Sequence, residues 1–313
     1  MGDAMSTVGV LLMTYGAPRD DADLVRYLAA VRGGRAPSDE LVAEMGRRYA
    51  RIGGSPLVRI TRDQAAALER RLGPGFVCEA GMRYSDPTIL ESAHALVARG
   101  ATTLVGIVLS PQWSPSLMSG YRGALDAAGA ELGVPSIVAE AWYREPAFAS
   151  AVAERVTEAL ADATLVRESL AIIFTAHSLP RRVFDAEPEY VAQLRETAGL
   201  IAARVPLAPD KWRWAYQSAG HTHEEWLGPD LKEVFPELAA SGHTDVLVVP
   251  VQFVADHLEV LYDLDVAAAQ EAAAAGLRYR RIAMPNMHFS FISALRDVAR
   301  AVTASGAAAT QLV

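Results

Sequence analysis

With 313 residues, 51% of them hydrophobic, the chain can bury a core large enough for two domains of ordinary size. A formal net charge of −8 argues against nucleic acid as the main partner. No apolar run approaches the roughly 20 residues of a membrane span, and the first residues lack the basic start and apolar stretch of a secretory signal, so the expected compartment is the cytoplasm. Cys78 is the only cysteine, which excludes a disulfide, a cysteine-rich zinc site and a thiolate-ligated iron–sulfur cluster.

The first element in chain order is the apolar run Val8–Met13, which reads as a strand buried on both faces. It ends in Thr14-Tyr-Gly-Ala-Pro18, a proline-terminated turn that carries Tyr15. Between Arg26 and Arg62 lie eight arginines and three acids, a local excess of positive charge on an acidic protein. Such a run is either a solvated helix face or a cradle for a polyanionic small ligand, because the planar guanidinium fork suits carboxylates. The loop Gly53-Gly-Ser-Pro56 punctuates it, and alanine-rich amphipathic stretches at 62–72 and 88–99 predict helices. A second buried strand is expected at Leu104–Leu109, and Trp142-Tyr-Arg-Glu-Pro146 marks a boundary.

Past that boundary the pattern repeats. A helix over 146–162 leads to the run Ala171–Phe174, which continues as Thr175-Ala-His-Ser-Leu-Pro180. This puts His177 at the carboxyl end of a buried strand, the edge where open α/β sheets bind ligands. A hydrogen-bonded structural histidine is the alternative. The strands of Val8–Met13 and Ala171–Phe174 thus end alike, in Thr, then an aromatic or imidazole, then a proline turn, as expected of a duplication. The alternation of strands and helices predicts an α/β fold with parallel strands. Two Rossmann-like domains are expected, over 1–145 and 146–313, facing each other across a cleft into which Tyr15 and His177 both open. Neither a glycine-rich dinucleotide fingerprint nor a P-loop occurs, and Ser178 is not in a nucleophile elbow.

After a helix at 189–204, the strand Val246–Val251 runs into an acidic segment, Asp256-His-Leu-Glu-Val-Leu-Tyr-Asp263. A helix starting near Ala255 would put Asp256, Glu259 and Asp263 on one face, with Asp256 as its N-cap. Leu258, Val260 and Leu261 flank Glu259, an apolar setting that predicts a raised carboxyl pKa. A carboxylate of that kind opposite a histidine suits proton transfer with weak binding of a divalent metal. His257 falls on another face and reads as structural. His221 and His223 lie in a polar loop, where solvation or adventitious metal binding is expected.

Six motifs together resemble the ferrochelatases: Met13-Thr-Tyr-Gly-Ala-Pro18, Ile52-Gly-Gly-Ser-Pro-Leu57, Thr175-Ala-His-Ser-Leu-Pro180, Gln217-Ser218, Trp226-Leu-Gly-Pro-Asp230 and the stretch Val249–Asp263. The resemblance spans essentially the whole chain. It implies two Rossmann-like domains, each a parallel four-stranded sheet flanked by helices, around a porphyrin cleft, and insertion of ferrous iron into the ring. The family's invariant histidine and glutamate match His177 and Glu259. Tyr15 after the first strand and the short stretch Ser110–Met118 look most like the soluble coproporphyrin ferrochelatases, whose product is coproheme. Coproporphyrin III carries four carboxylates, which gives the arginine-rich segment a role. By resemblance Arg32, Arg48, Ser55 and Tyr121 hold propionates, Tyr15 lies on the iron side of the ring, and His177, Glu259, Tyr15 and Asp263 meet the metal. His177 takes a pyrrole proton or hands over iron, Glu259 orients it or relays protons, and Asp263 and Asp256 continue the path. Some relatives have an acid where this chain has Ala267, a departure at the outer metal site. The resemblance further implies Fe2+ as substrate with no prosthetic group, a monomer, and transient contact with haem-pathway enzymes. The competing readings are a protoporphyrin IX ferrochelatase, a chelatase for another tetrapyrrole, and a porphyrin or haem carrier without catalysis.

Overall fold

Strands covered by helices on both faces read as unbroken apolar runs, and the computed structural model puts the four such runs of this chain at the centres of two sheets. It describes residues 7–205, 207, 211–220 and 224–310, with no side chains beyond 305. His221 and His223 lie outside the described residues.

The first unit is Met1–Glu145 together with Asn286–Val313. Its elements are β1 (Thr7–Thr14), α1 (Leu24–Val31), α2 (Asp39–Ile52), α3 (Leu57–Leu72), β2 (Phe76–Met82), α4 (Ile89–Ala98), β3 (Ala101–Val108), α5 (Pro115–Leu132) and β4 (Ser136–Ala139). All strand pairs are parallel, in the order β2-β1-β3-β4. Leu11 and Met13 of β1 meet Leu96 of α4 and Leu125 of α5 in one buried cluster.

The second unit, Pro146–Pro285, repeats the plan. It holds α6 (Pro146–Leu160), β5 (Leu170–His177), α7 (Arg181–Ala186), α8 (Pro188–Arg204), β6 (Trp212–Gln217), α9 (Leu231–Ala240), β7 (Asp245–Pro250), a π-helix (Glu259–Ala268), α10 (Ala269–Ala274) and β8 (Arg278–Arg281). The sheet order β6-β5-β7-β8 is that of the first unit, again all parallel. Ile173 and Val248 pack with Phe235 of α9 and with Leu264 and Ala268 of the π-helix.

The chain then returns. The last helix, α11 (Phe289–Thr310), packs on α3, β3 and β4 of the first unit. A second domain running from 146 to the end is therefore corrected to 146–285. The apolar face of α11, including the fully buried Phe291 and Leu295, completes the first core. Among the described residues no helix is long and apolar enough to cross a membrane.

Candidate active site

In each unit the central strand delivers one ring to the carboxyl edge of its sheet. From Ala171 to Ala176 β5 is buried, and the chain emerges at the partly buried His177. Two glutamines fix the end of this strand. The Thr175 hydroxyl donates to Gln217 Oε1 at 2.7 Å. The His177 backbone N–H donates to Gln252 Oε1 at 2.9 Å, and Gln252 Nε2 donates to the Tyr190 hydroxyl at 2.8 Å.

The His177 ring is oriented by its own turn. Nδ1 lies 2.6 Å from the Ser178 carbonyl oxygen; a carbonyl only accepts, so Nδ1 carries the proton and Nε2 is left with its lone pair. Trp226 walls the ring at a centroid distance of 6.5 Å. Its indole fills the space where Gly220 has no side chain, since a Cβ there would stand 2.4 Å from Trp226 Cζ2.

Glu259 opens the π-helix rather than sitting mid-way along an α-helix. Helical winding begins at Leu258, so Asp256 lies outside the helix, and its carboxylate faces Arg281 at 3.5 Å. The expected stripe of three acids is thus reduced to Glu259 and the half-buried Asp263, because the acids are carried by a loop and a π-turn. His257 is not remote either. Its Nδ1 faces the Ala255 carbonyl at 3.0 Å and its Nε2 lies 3.7 Å from Glu259 Oε2, so it is a partner of the glutamate. Although 42% of the Glu259 side chain is accessible, protein atoms crowd round the carboxylate. That burial alone would raise its pKa, but the positive charge His177 carries when it holds a second proton and the His257 contact outweigh it and hold the carboxyl down at about 2. The raised pKa expected from the apolar sequence neighbours is overturned by two imidazoles, that of His177 from β5 and that of His257 two residues before Glu259. Among the described residues no three His, Cys, Asp or Glu side chains stand together as a ready-made metal cage.

In the first unit, Tyr15 follows β1 and is 45% exposed. Gly16 behind it turns the chain at φ +94°, and a Cβ there would meet Ser85 Oγ at 2.3 Å, so only glycine serves at this bend. Tyr15 meets Tyr84 edge-on at 4.6 Å. The Arg83 guanidinium lies over Tyr84 at 5.4 Å and Tyr121 at 5.8 Å, and it has no carboxylate partner among the described residues. Burial pushes the Tyr121 phenol up, reinforced by Tyr15 and Tyr84; it therefore stays protonated as a hydrogen-bond donor. Of the two arginines expected at propionates, Arg32 is exposed at the end of α1 without an ion pair among the described residues, whereas Arg48 donates to Glu44 at 2.8 Å. Much of the arginine excess is neutralised locally: Arg26 pairs with Asp23, Arg47 with Glu44 and Arg59 with Asp63. Ser55 Oγ accepts from the Leu57 N–H at the start of α3.

Sequence reasoning missed Arg83, Trp226, Gln252 and the role of His257. Arg83 and Gln252 each directly follow a strand core or its turn, which was the available signal.

Known proteins resemble the chain over nearly its full length. A family model described as Ferrochelatase matches residues 7–302. A protein named coproporphyrin III ferrochelatase from Geobacillus sp. (strain WCH70) is 39% identical over 94% of this chain and 97% of its own length. One of the same name from Listeria monocytogenes is 36% identical over 93% and 96%. A protein named ferrochelatase from Herpetosiphon aurantiacus is 37% identical over 92% and 97%. Among solved structures, SirB from Bacillus subtilis with Fe3+ superposes with a TM-score of 0.59 at 16% identity, covering 96% of this chain and 98% of that one. CbiX, described as the terminal enzyme of sirohaem biosynthesis in denitrifying bacteria, gives 0.56 at 13%, covering 94% and 98%. These two share the fold.

Proposed function

The chain belongs to the ferrochelatase family, and from that premise we propose that it inserts Fe2+ into coproporphyrin III, giving coproheme and releasing two protons in haem biosynthesis. The observation that carries the reading is the His177 ring, with its Nδ1 proton bound to the Ser178 carbonyl and its Nε2 left as a base beside an ionised Glu259.

Metallation exchanges two pyrrole N–H protons for one divalent ion, so the site must offer a base and must steady the positive charge that the base acquires. His177 Nε2 takes a pyrrole proton. The imidazolium that forms is stabilised by the Glu259 carboxylate, which is a fixed counter-charge rather than a neutral acid awaiting a proton. His257, 3.7 Å from the same carboxylate, and Asp263 further along the π-helix lead protons outward. Tyr15, exposed at the carboxyl end of β1, is a further group for the macrocycle. A protonated Tyr121 and the cations Arg32, Arg48 and Arg83 are donors suited to propionates, and coproporphyrin III has two more of these than protoporphyrin IX. Relatives of 34–40% identity that carry the name coproporphyrin III ferrochelatase support this substrate. We further propose a cytoplasmic monomer with transient contacts to haem-pathway enzymes, needing no prosthetic group, with iron as its second substrate.

An anaerobic assay that follows loss of porphyrin fluorescence on addition of Fe2+ tests this. Coproporphyrin III should be metallated and protoporphyrin IX much more slowly. His177→Ala should abolish insertion while leaving porphyrin binding within a few-fold of the parent. Turnover retained in that variant, or a preference for protoporphyrin IX, overturns the corresponding part of the proposal.

A further inference from the structure

A ten-residue π-helix is unusual, since i→i+5 winding is rare and mostly confined to single turns at functional sites. Here it runs from Glu259 to Ala268 and no side chain caps its start. Its apolar residues Val260, Leu264 and Ala268 are buried, Leu264 and Ala268 in the cluster that covers the second sheet. That contact holds the helix down, but apolar packing is non-directional and does not by itself select the winding. A directional restraint is supplied by Arg281, the last residue of β8. Its Nε donates to Asp265 Oδ1 at 2.7 Å and its Nη2 to Asp265 Oδ2 at 2.8 Å, a two-pronged grip. The same Nη2 reaches Asp256 Oδ1 at 3.5 Å, and Nη1 donates to the Ile282 carbonyl at 2.7 Å. Arg281 is only 11% exposed. One largely covered guanidinium therefore holds both Asp256 in the loop before the π-helix and Asp265 within it, and His257, Glu259 and Asp263 all lie in the stretch so bracketed.

We propose that Arg281 is a positioning residue for metal insertion, its guanidinium locking the two ends of the Asp256–Asp265 segment so that Glu259 stays opposite the imidazoles of His177 and His257. The assignment rests on the iron-insertion reading above. Arginine suits the task where lysine does not, because only a planar fork fixes the rotation of the carboxylate as well as its distance. A bidentate grip on Asp265 resists the turn that would carry Glu259 away if the segment rewound with i→i+4 bonds.

The test compares Arg281→Lys and Asp265→Asn with the parent in the full chain. Arg281→Lys keeps the charge and loses the fork; Asp265→Asn leaves the arginine and removes its partner. Both should lower kcat for Fe2+ insertion by about 10-fold to 100-fold, the usual range for a residue that orients a metal-site group from behind. KM for the porphyrin should stay within about twofold. Independently of turnover, hydrogen exchange should quicken at the amides of 259–268 and not in the strands of either sheet. Wild-type kcat in both variants, or exchange that quickens evenly throughout the chain, overturns the proposal. Were the parent protein itself inactive, the iron-insertion reading would fail while the exchange data still decided whether Arg281 holds the segment.

Discussion

An imidazole serves as a base only when one nitrogen is kept clear of other duties, and in His177 the Ser178 carbonyl secures this by occupying Nδ1. Its neighbour Glu259 is equally committed, as an anion. Because burial is outweighed by His177 and His257, its folded-state pKa is lowered from 4.5 to about 2. A carboxyl lowered on folding contributes stability that is present above its unfolded value and is lost as the pH falls towards its folded one. Glu259→Gln should therefore reduce the urea midpoint at pH 6, and that deficit should shrink steadily below about pH 4.5; a deficit that stays constant down to pH 3 would contradict the assignment. The identity of His177 and Glu259 as a pair was legible in the sequence from a strand-end motif and a carboxylate among apolar neighbours. The sign of the shift was not. Leu258 and Val260 describe what lies beside Glu259 along the chain, whereas the folded chain turns the neighbouring His257 ring towards the carboxylate and brings His177 to it from β5.

At the scale of elements, sequence patterning found β1, β3, β5 and β7, which occupy the two central positions of each sheet. It missed β2, β4, β6 and β8, which are the edges. Central strands are covered on both faces and spell unbroken apolar runs; β8 reads Arg-Tyr-Arg-Arg and has no buried residue. The π-helix was equally hidden, because a period of 3.6 and a wider winding are hardly separable over ten residues. The loop after β6 carries a requirement that sequence alone could not rank. Gly220 makes room for Trp226, which in turn walls His177. Gly220→Ala should push the indole aside by roughly an ångström and, through misplacement of the His177 ring, lower kcat by about 10-fold to 100-fold. Trp fluorescence and steady-state kinetics report the two effects together. An unchanged emission spectrum with unchanged kcat would show that the indole does not support the ring.

For the molecule as a whole, the two units are one plan used twice, yet they are not joined end to end. The chain leaves the first at Glu145 and re-enters it at Asn286, so the second unit is an insertion. The exit is visible in sequence as Trp142-Tyr-Arg-Glu-Pro146. The return is not, because the amphipathic pattern of α11 states that a helix has an apolar face without naming the core that receives it. Hydrogen bonds within the first unit identify that core: Gln64 Nε2 donates to the Asn286 carbonyl at 2.9 Å, and Arg71 Nη2 to Ser293 Oγ at 2.7 Å. Phe291, Ile292 and Leu295 are buried there, and at about 1.5–3 kcal/mol for each such side chain their removal costs about as much as the whole stability of an ordinary domain, roughly 5–15 kcal/mol. A chain that stops at Pro285 should therefore lose the order of residues 7–145 while Pro146–Pro285, which keeps its entire sheet and core, stays folded. Limited trypsin digestion read by mass spectrometry should yield a resistant fragment beginning near residue 146, with the N-terminal half cut throughout. Two separate consecutive domains would predict the reverse, a resistant first half and a damaged second, because α11 would then have been taken from the latter.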